Sequence, residues 1–291
     1  MASSTIPVDL FNPGQVFACL GLAEATEVLL GGVSAGFRGD AAIVDFTLQA
    51  PGETNPVEAV LDFLASASLT SEAPGSADSS PLSSLSTEKW GVPTTLLAAD
   101  TPFPYPCPDS PATLPAVLSR AGQRLVIDHW GDATRRDNVK FWAGAGGYPG
   151  VGLLRDAIEL IRDRLGDAAA DPFALQAVQS SSFRFDWRRD YVPLGVGFSL
   201  NNHSKLQPLG YPLVEILAAI GLSHARPRRP GPSKLHYDYA VPIADGLALP
   251  LLRAALGCAP LPIRLRTFHM MLDWPGQENQ ARCITHVTEE I

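Results

Sequence analysis

The sequence predicts an α+β protein: a mixed sheet with packed helices, and a long Ser/Pro-rich loop near residues 69–87. Three observations predict it. Helix-start signatures stand at Asn12-Pro13-x-Gln15 and Asn55-Pro56-x-Glu58, where a side-chain oxygen caps free N–H groups and proline suits the first turn. Short apolar or alternating runs of strand length stand at 42–48, at 124–129 and near the C-terminus. The two kinds of segment follow one another without a fixed period, which argues against a repeat architecture. With 291 residues, 46% of them hydrophobic and 18% charged, the chain can bury a sizeable core.

Each element has its own signal. The first helix is expected from residue 13, with Val16, Phe17 and Leu20 on its apolar face and Gly31-Gly32 as its stop. Ala42-Ile-Val-Asp-Phe-Thr-Leu48 alternates as a strand does. The second helix runs from Asn55 to about Ser66, with Val60, Leu61 and Leu64 inside. Residues 69–87 are dense in Ser, Pro and Gly; they bury too little to offset ordering, so a flexible loop is expected. Residues 101–115, rich in Pro and aromatics, are expected to lie extended over a surface, and Arg124-Leu-Val-Ile-Asp-His129 to form a buried strand.

Residues 132–152 are loop-like. A helix follows with Leu153, Leu154, Ala157, Ile158, Ile161 and Leu165 on one face and Asp156, Glu159 and Asp163 on the other. Phe183-Arg-Phe-Asp-Trp187 alternates aromatic and charged, the pattern of a half-exposed strand. Pro212 opens a nearly all-apolar helix from Leu213 to Ile220, ended by Gly221 and interrupted by Glu215 alone. The C-terminal part reads as a hairpin: Leu261 to Asp273, a Trp-Pro-Gly turn, then Ala281 to Val287. The strand order is not legible.

Charge divides the chain. Residues 1–120 hold 3 Lys/Arg against 13 Asp/Glu, and residues 121–291 hold 19 against 17. These are an acidic N-terminal part, including the 69–87 segment, and a more basic C-terminal part; one continuous domain is the alternative. Residues 184–234 hold 8 Lys/Arg against 3 Asp/Glu. A basic stretch in a protein of net charge -8 points to contact with a polyanion on one face. The pI of about 5.2 argues against free-standing, non-specific DNA binding. No apolar run is long enough to cross a bilayer, and Met-Ala-Ser-Ser-Thr lacks the features of a signal peptide, so no membrane contact and a cytoplasmic location are expected. The 4 cysteines are far apart and form no C-x-x-C pair, so neither a disulfide framework nor a zinc ribbon is expected.

Two stretches are candidates for anion contact. In Gly144-Ala-Gly-Gly-Tyr-Pro-Gly150, glycine N–H groups at a helix start can hold phosphate, with Arg135, Arg136 and Lys140 just before. The spacing fails both the dinucleotide fingerprint and the P-loop, and a plain turn with solvated charges is the alternative. The second is the basic stretch: Arg184, Arg188, Arg189, Lys205, Arg226, Arg228, Arg229 and Lys234. Arg184, Asp186 and Arg188 would share one strand face opposite the aromatics, suiting backbone contact and base stacking. Local neutralisation by Asp186 and Asp190 is the alternative. In Ala225-Arg-Pro-Arg-Arg-Pro-Gly-Pro the prolines leave an extended basic loop, able to follow a phosphate chain or simply to be solvated. None of the 6 histidines shows a metalloprotease or hydrolase spacing. His236-Tyr-Asp238 places His and Asp on one strand face, a pairing common by chance. No catalytic residue, metal or cofactor is expected.

Several blocks carry a family resemblance. They are Ile6-Pro-Val-Asp-Leu-Phe-Asn-Pro-Gly-Gln-Val-Phe-Ala-Cys-Leu-Gly21, Asp128-His-Trp with Lys140-Phe-Trp-Ala-Gly144, Ser182-Phe-Arg-Phe-Asp-Trp-Arg188 and Tyr211-Pro-Leu-Val-Glu-Ile-Leu-Ala-Ala-Ile-Gly-Leu222. Together they resemble the small large-subunit-like proteins of type I-U (I-G) CRISPR-Cas systems. The resemblance spans nearly the whole chain outside 69–87 and includes no catalytic motif. It implies a non-enzymatic subunit of an RNA-guided Cascade complex. Its partners would be guide RNA, target DNA, the other Cascade subunits and a helicase–nuclease. Such a subunit recognises a flanking duplex motif and stabilises the displaced strand. Two other readings remain open: a stand-alone hydrolase or nuclease using groups such as His236 and Asp238, and a scaffold that touches only protein.

Overall fold

The computed structural model describes residues 1–79, 84–105, 108, 110–130, 148–179, 181–188, 208–273 and 282–290. In chain order the elements are β1 (Ala2–Asp9), α1 (Pro13–Leu30), β2 (Ser34–Arg38), β3 (Ile43–Ala50), α2 (Pro56–Ser66), β4 (Ser68–Ala73), β5 (Thr94–Leu96), β6 (Ala116–Arg120) and β7 (Gln123–Ile127). Then come α3 (Gly150–Ile161), β8 (Ala177–Val178), β9 (Leu209–Gly210), α4 (Pro212–His224), β10 (His236–Pro242), β11 (Ala244–Ala248), α5 (Leu249–Leu256), β12 (Leu265–Asp273) and β13 (Cys283–Glu290). The fold is α+β, as the sequence predicts.

Helices α1 and α4 cross at the centre. The Asn12 side chain accepts the Gln15 N–H, so the expected N-cap forms. The Gln15 side chain does not close the box on Asn12. It accepts the Asp9 N–H at 2.8 Å, because the Asn12 N–H is already taken by the Asp9 carbonyl at 3.0 Å. Gly31, at φ 73, ends α1 as expected. The expected one-sided apolar face is corrected: α1 is buried on all sides from Pro13 to Thr26, because α4 covers what would otherwise be its outer face. Gly221 does not stop α4, which continues to His224. Its role is close approach: a Cβ on Gly221 would run into the Phe17 carbonyl, and one on Gly21 into the Leu217 carbonyl.

Around this pair, among the described residues, lie three sheets and a two-stranded ribbon. One sheet has the order β1-β3-β2-β11 and is antiparallel, with Ile6 opposite Phe46 and Val8 opposite Val44 on its buried face. A second has the order β5-β4-β6-β7, with β4 and β5 parallel. Its strand β4 takes residues 69–73 out of the expected loop at 69–87. The hydroxyls that made this segment look unfoldable satisfy one another: Ser71 Oγ lies 2.9 Å from Thr87 Oγ1 and 2.8 Å from Thr94 Oγ1, and Thr87 donates to the Val92 carbonyl at 2.8 Å. Residues 80–83 lie outside the described part. The third sheet, β10-β12-β13, contains the expected C-terminal hairpin, with its turn outside the described residues.

Helix α2 starts on Asn55, whose side chain accepts the Val57 and Glu58 N–H groups. Helix α3 begins at Gly150, three residues before the expected start, and buries the six predicted apolar residues together with its 3₁₀ extension to Ala168. Residues 183–187 form no strand. Arg184 adopts φ 67, outside the strand region. Phe183 and Phe185 keep to one buried side, stacked 5.2 Å apart against His129 and Trp130, but Asp186 is buried as well and Trp187 is exposed. The 101–115 stretch is likewise not simply extended: Pro111–Thr113 is a 3₁₀ turn, and the Tyr105 hydroxyl donates to the Asp128 carbonyl. Cys19 is buried and free, as expected. Among the described residues no helix is long and apolar enough to cross a membrane.

Candidate functional site

The sequence-selected cations fall into three groups. Arg135, Arg136, Lys140, Arg189 and Lys205 lie outside the described residues, as does most of the glycine-rich stretch. Arg184 and Arg188 lie near the N-terminus of α4. Arg188 makes a two-atom ion pair with the buried Asp186 (2.6 Å at the closest), donates to the Phe173 carbonyl at 2.9 Å, and stacks 3.6 Å over the Tyr211 ring. Asp186 also accepts from the Asn12 side chain at 2.9 Å. Arg188 is thus a structural clamp between α1, α4 and the 172–174 turn, held by a buried carboxylate rather than by the surface pair that was the alternative.

Arg226, Arg228, Arg229 and Lys234 follow the opposite end of α4. A helix of 13 residues is about 20 Å long, so the two basic groups are separated by roughly that distance. Arg226 is half-buried; Arg228, Arg229 and Lys234 are exposed. This segment forms no helix, bends at 231–232 and 234–235, and is anchored at Arg228. The Arg228 N–H donates to the Asp238 carbonyl at 2.8 Å, and the Asp238 N–H donates back at 2.7 Å. The run therefore covers the β10 edge of its sheet. The Arg228 guanidinium reaches Asp238 Oδ2 at 2.9 Å, which holds its pKa above the ordinary value.

Beside that anchor lies a cluster that sequence reasoning did not assemble. His236 and Asp238 do share a face of β10, and β12 brings His269 directly opposite Asp238. His269 Nδ1 lies 2.8 Å from Asp238 Oδ1, and His269 Nε2 lies 2.9 Å from His236 Nδ1. The result is a carboxylate–imidazole–imidazole chain with Asp238 buried and both rings half-exposed. A carboxylate in this position orients an imidazole and fixes which nitrogen carries the proton. Cys258, at φ 62, lies within electrostatic range; burial raises its thiol pKa, which Arg228 opposes. Among the described residues no hydroxyl or thiol is hydrogen-bonded to either imidazole, so no nucleophile is aligned. Pairing register, absent from any local motif, was the missing signal.

Two other titratable groups are buried inside. His129 is 2% exposed and caged by Trp130, Phe183 and Phe185, with the Ala219 backbone beside its ring. Burial first, and then the charge of Arg226, push its pKa down to about 3. Glu24, in α1, takes a bidentate pair from Arg253 of α5 at 2.5 and 2.6 Å, with His224 Nδ1 3.6 Å away. His224 titrates below its ordinary value because burial outweighs the Glu24 charge.

No protein-family model matches the chain, and comparison with curated proteins and with solved structures finds no match.

Proposed function

We propose that this protein is a non-catalytic, nucleic-acid-contacting subunit of an RNA-guided CRISPR interference complex. The observation that carries the reading is the 226–234 run, which bears four cations and no carboxylate of its own and is tied to a sheet edge at Arg228. A basic segment anchored within its length loses less entropy on binding than a loose loop does. The sequence blocks that resemble the small large-subunit-like proteins support the same reading. Of the cations named from sequence, Arg229 and Lys234 are the strongest candidates for phosphate contact. Arg188 is assigned to the fold, and Arg228 to anchoring the run. Target sequence would be read by guide pairing, and the subunit would hold backbone and flanking duplex.

Co-expression with neighbouring genes and a repeat array tests the proposal. The protein should co-purify with guide RNA and sister subunits. Recovery solely as an RNA-free chain under those conditions refutes it.

The Asp238–His269–His236 chain favours a second reading, a hydrolase or nuclease. That reading requires activity to vanish on His236→Ala or His269→Ala with the fold intact. Interference that survives both substitutions removes it.

A further inference from the structure

Asp238, His269 and Glu290 stand on three neighbouring strands, β10, β12 and β13, and one donor atom from each lies within 4.8 Å of the others. The pleat explains why they converge. Asp238 is paired directly with His269, and Glu290 is paired with Thr267, two residues along β12 from His269 on the same face. We infer that these three side chains form a binding site for a divalent transition-metal ion of the zinc class, with His269 Nδ1 and one oxygen each of Asp238 and Glu290 as ligands. The inference stands independently of nucleic-acid binding.

Donor chemistry selects the ion. One imidazole nitrogen with two carboxylates suits zinc or a similar borderline metal, whereas calcium and magnesium take oxygen alone. Three protein ligands leave a fourth position for water or a bound group.

The surroundings match what such a site needs. A ligating histidine donates its remaining N–H to an acceptor, which fixes ring and tautomer. Here His236 Nδ1 lies 2.9 Å from His269 Nε2, in place to accept that proton. Arg228 donates to Asp238 Oδ2 at 2.9 Å, which orients the carboxylate and leaves Oδ1 for the ion. Oδ1 and His269 Nδ1 are 2.8 Å apart, bridged by a proton. Bonds of about 2.1 Å at tetrahedral angles place ligand atoms roughly 3.4 Å apart. The ring and the carboxylate therefore separate by about half an ångström as the ion replaces the proton, a change within ordinary side-chain torsion. Glu290 is exposed and closes onto the ion from β13. The bound ion would tie β13 to β10 across β12 and place positive charge beside the 226–234 run.

The full-length chain, stripped with chelator and dialysed, is titrated with zinc against a chromogenic competitor. One zinc per chain is expected. His269→Ala should weaken binding at least 100-fold, and Glu290→Gln and His236→Phe about 10-fold each, the range seen when ligands or their outer partners are removed. Cobalt in place of zinc should give the intense visible bands of a tetrahedral ion, absent in His269→Ala. Circular dichroism and thermal melting of the metal-free variants check folding. Should His269→Ala fail to fold, Glu290→Gln decides, since its side chain is exposed and its loss leaves the core untouched. Absence of stoichiometric zinc binding by the unaltered chain overturns the inference. So does wild-type affinity and an unchanged cobalt spectrum in Glu290→Gln.

Discussion

Replacing His129 with leucine is expected to flatten the acid limb of the protein's stability. The imidazole is caged by three aromatic rings, with centroids 4.8 to 5.8 Å away. Its pKa is lowered to about 3, against about 6.5 for an unfolded histidine. Between those two values the unfolded chain takes up a proton that the folded chain refuses. Stability therefore falls as pH falls through this window, by about 1.4 kcal/mol per unit at full effect. At about pH 5 the His129 contribution is a loss of about 2 kcal/mol relative to neutral pH. Leucine has no such term. Urea unfolding followed by tryptophan fluorescence, near pH 7.5 and near pH 5, gives the difference between the two proteins. Groups such as Glu289, which Arg266 holds below its ordinary pKa, act equally in both and cancel. The gap between leucine variant and parent should widen by about 2 kcal/mol in acid. Parallel pH dependence would refute a histidine held neutral.

Gly221→Ala should destabilise by about 3 kcal/mol or more, because the new methyl meets backbone of α1 and neither helix can shift alone; thermal melting reads it, and a change under about 1 kcal/mol would contradict a close crossing. Arg188→Ala should cost about 3–5 kcal/mol by stranding the buried Asp186 charge, and Arg188→Ala with Asp186→Asn should recover part of that loss in a double-mutant cycle. Arg253→Ala should cost a similar about 3–5 kcal/mol through Glu24, with unfolding again as the measure.

Local chemistry was legible in the sequence, and non-local pairing was not. Asn12 and Asn55 announce α1 and α2 because a cap is settled within three residues of chain. The α3 apolar stripe and the C-terminal hairpin are likewise set by short-range spacing. Residues 69–73 misled because composition does not show that Ser71 of β4 meets Thr94 of β5, with Thr87 beside both. Alternation at 183–187 misled because its last two positions exchange environments: Asp186, expected on the exposed face, is buried against Asn12 and Arg188, and Trp187 is exposed. Gly221 resembled a helix stop because its partner, Phe17, is distant in the chain. The Asp238–His269 pair, 31 residues apart, depends on strand register, which no local pattern specifies. Charge counting located the 226–234 run, but could not separate it from Arg188, which lies beyond the other end of α4.

The salt dependence of target-DNA affinity probes the 226–234 run itself. The assembled complex is compared with one carrying Arg229→Glu and Lys234→Glu, two exposed positions outside the core. If these side chains touch phosphate, affinity falls and the slope of log K against log salt drops by about 1 for each phosphate no longer neutralised. An unchanged affinity with an unchanged slope would contradict nucleic-acid binding through this run.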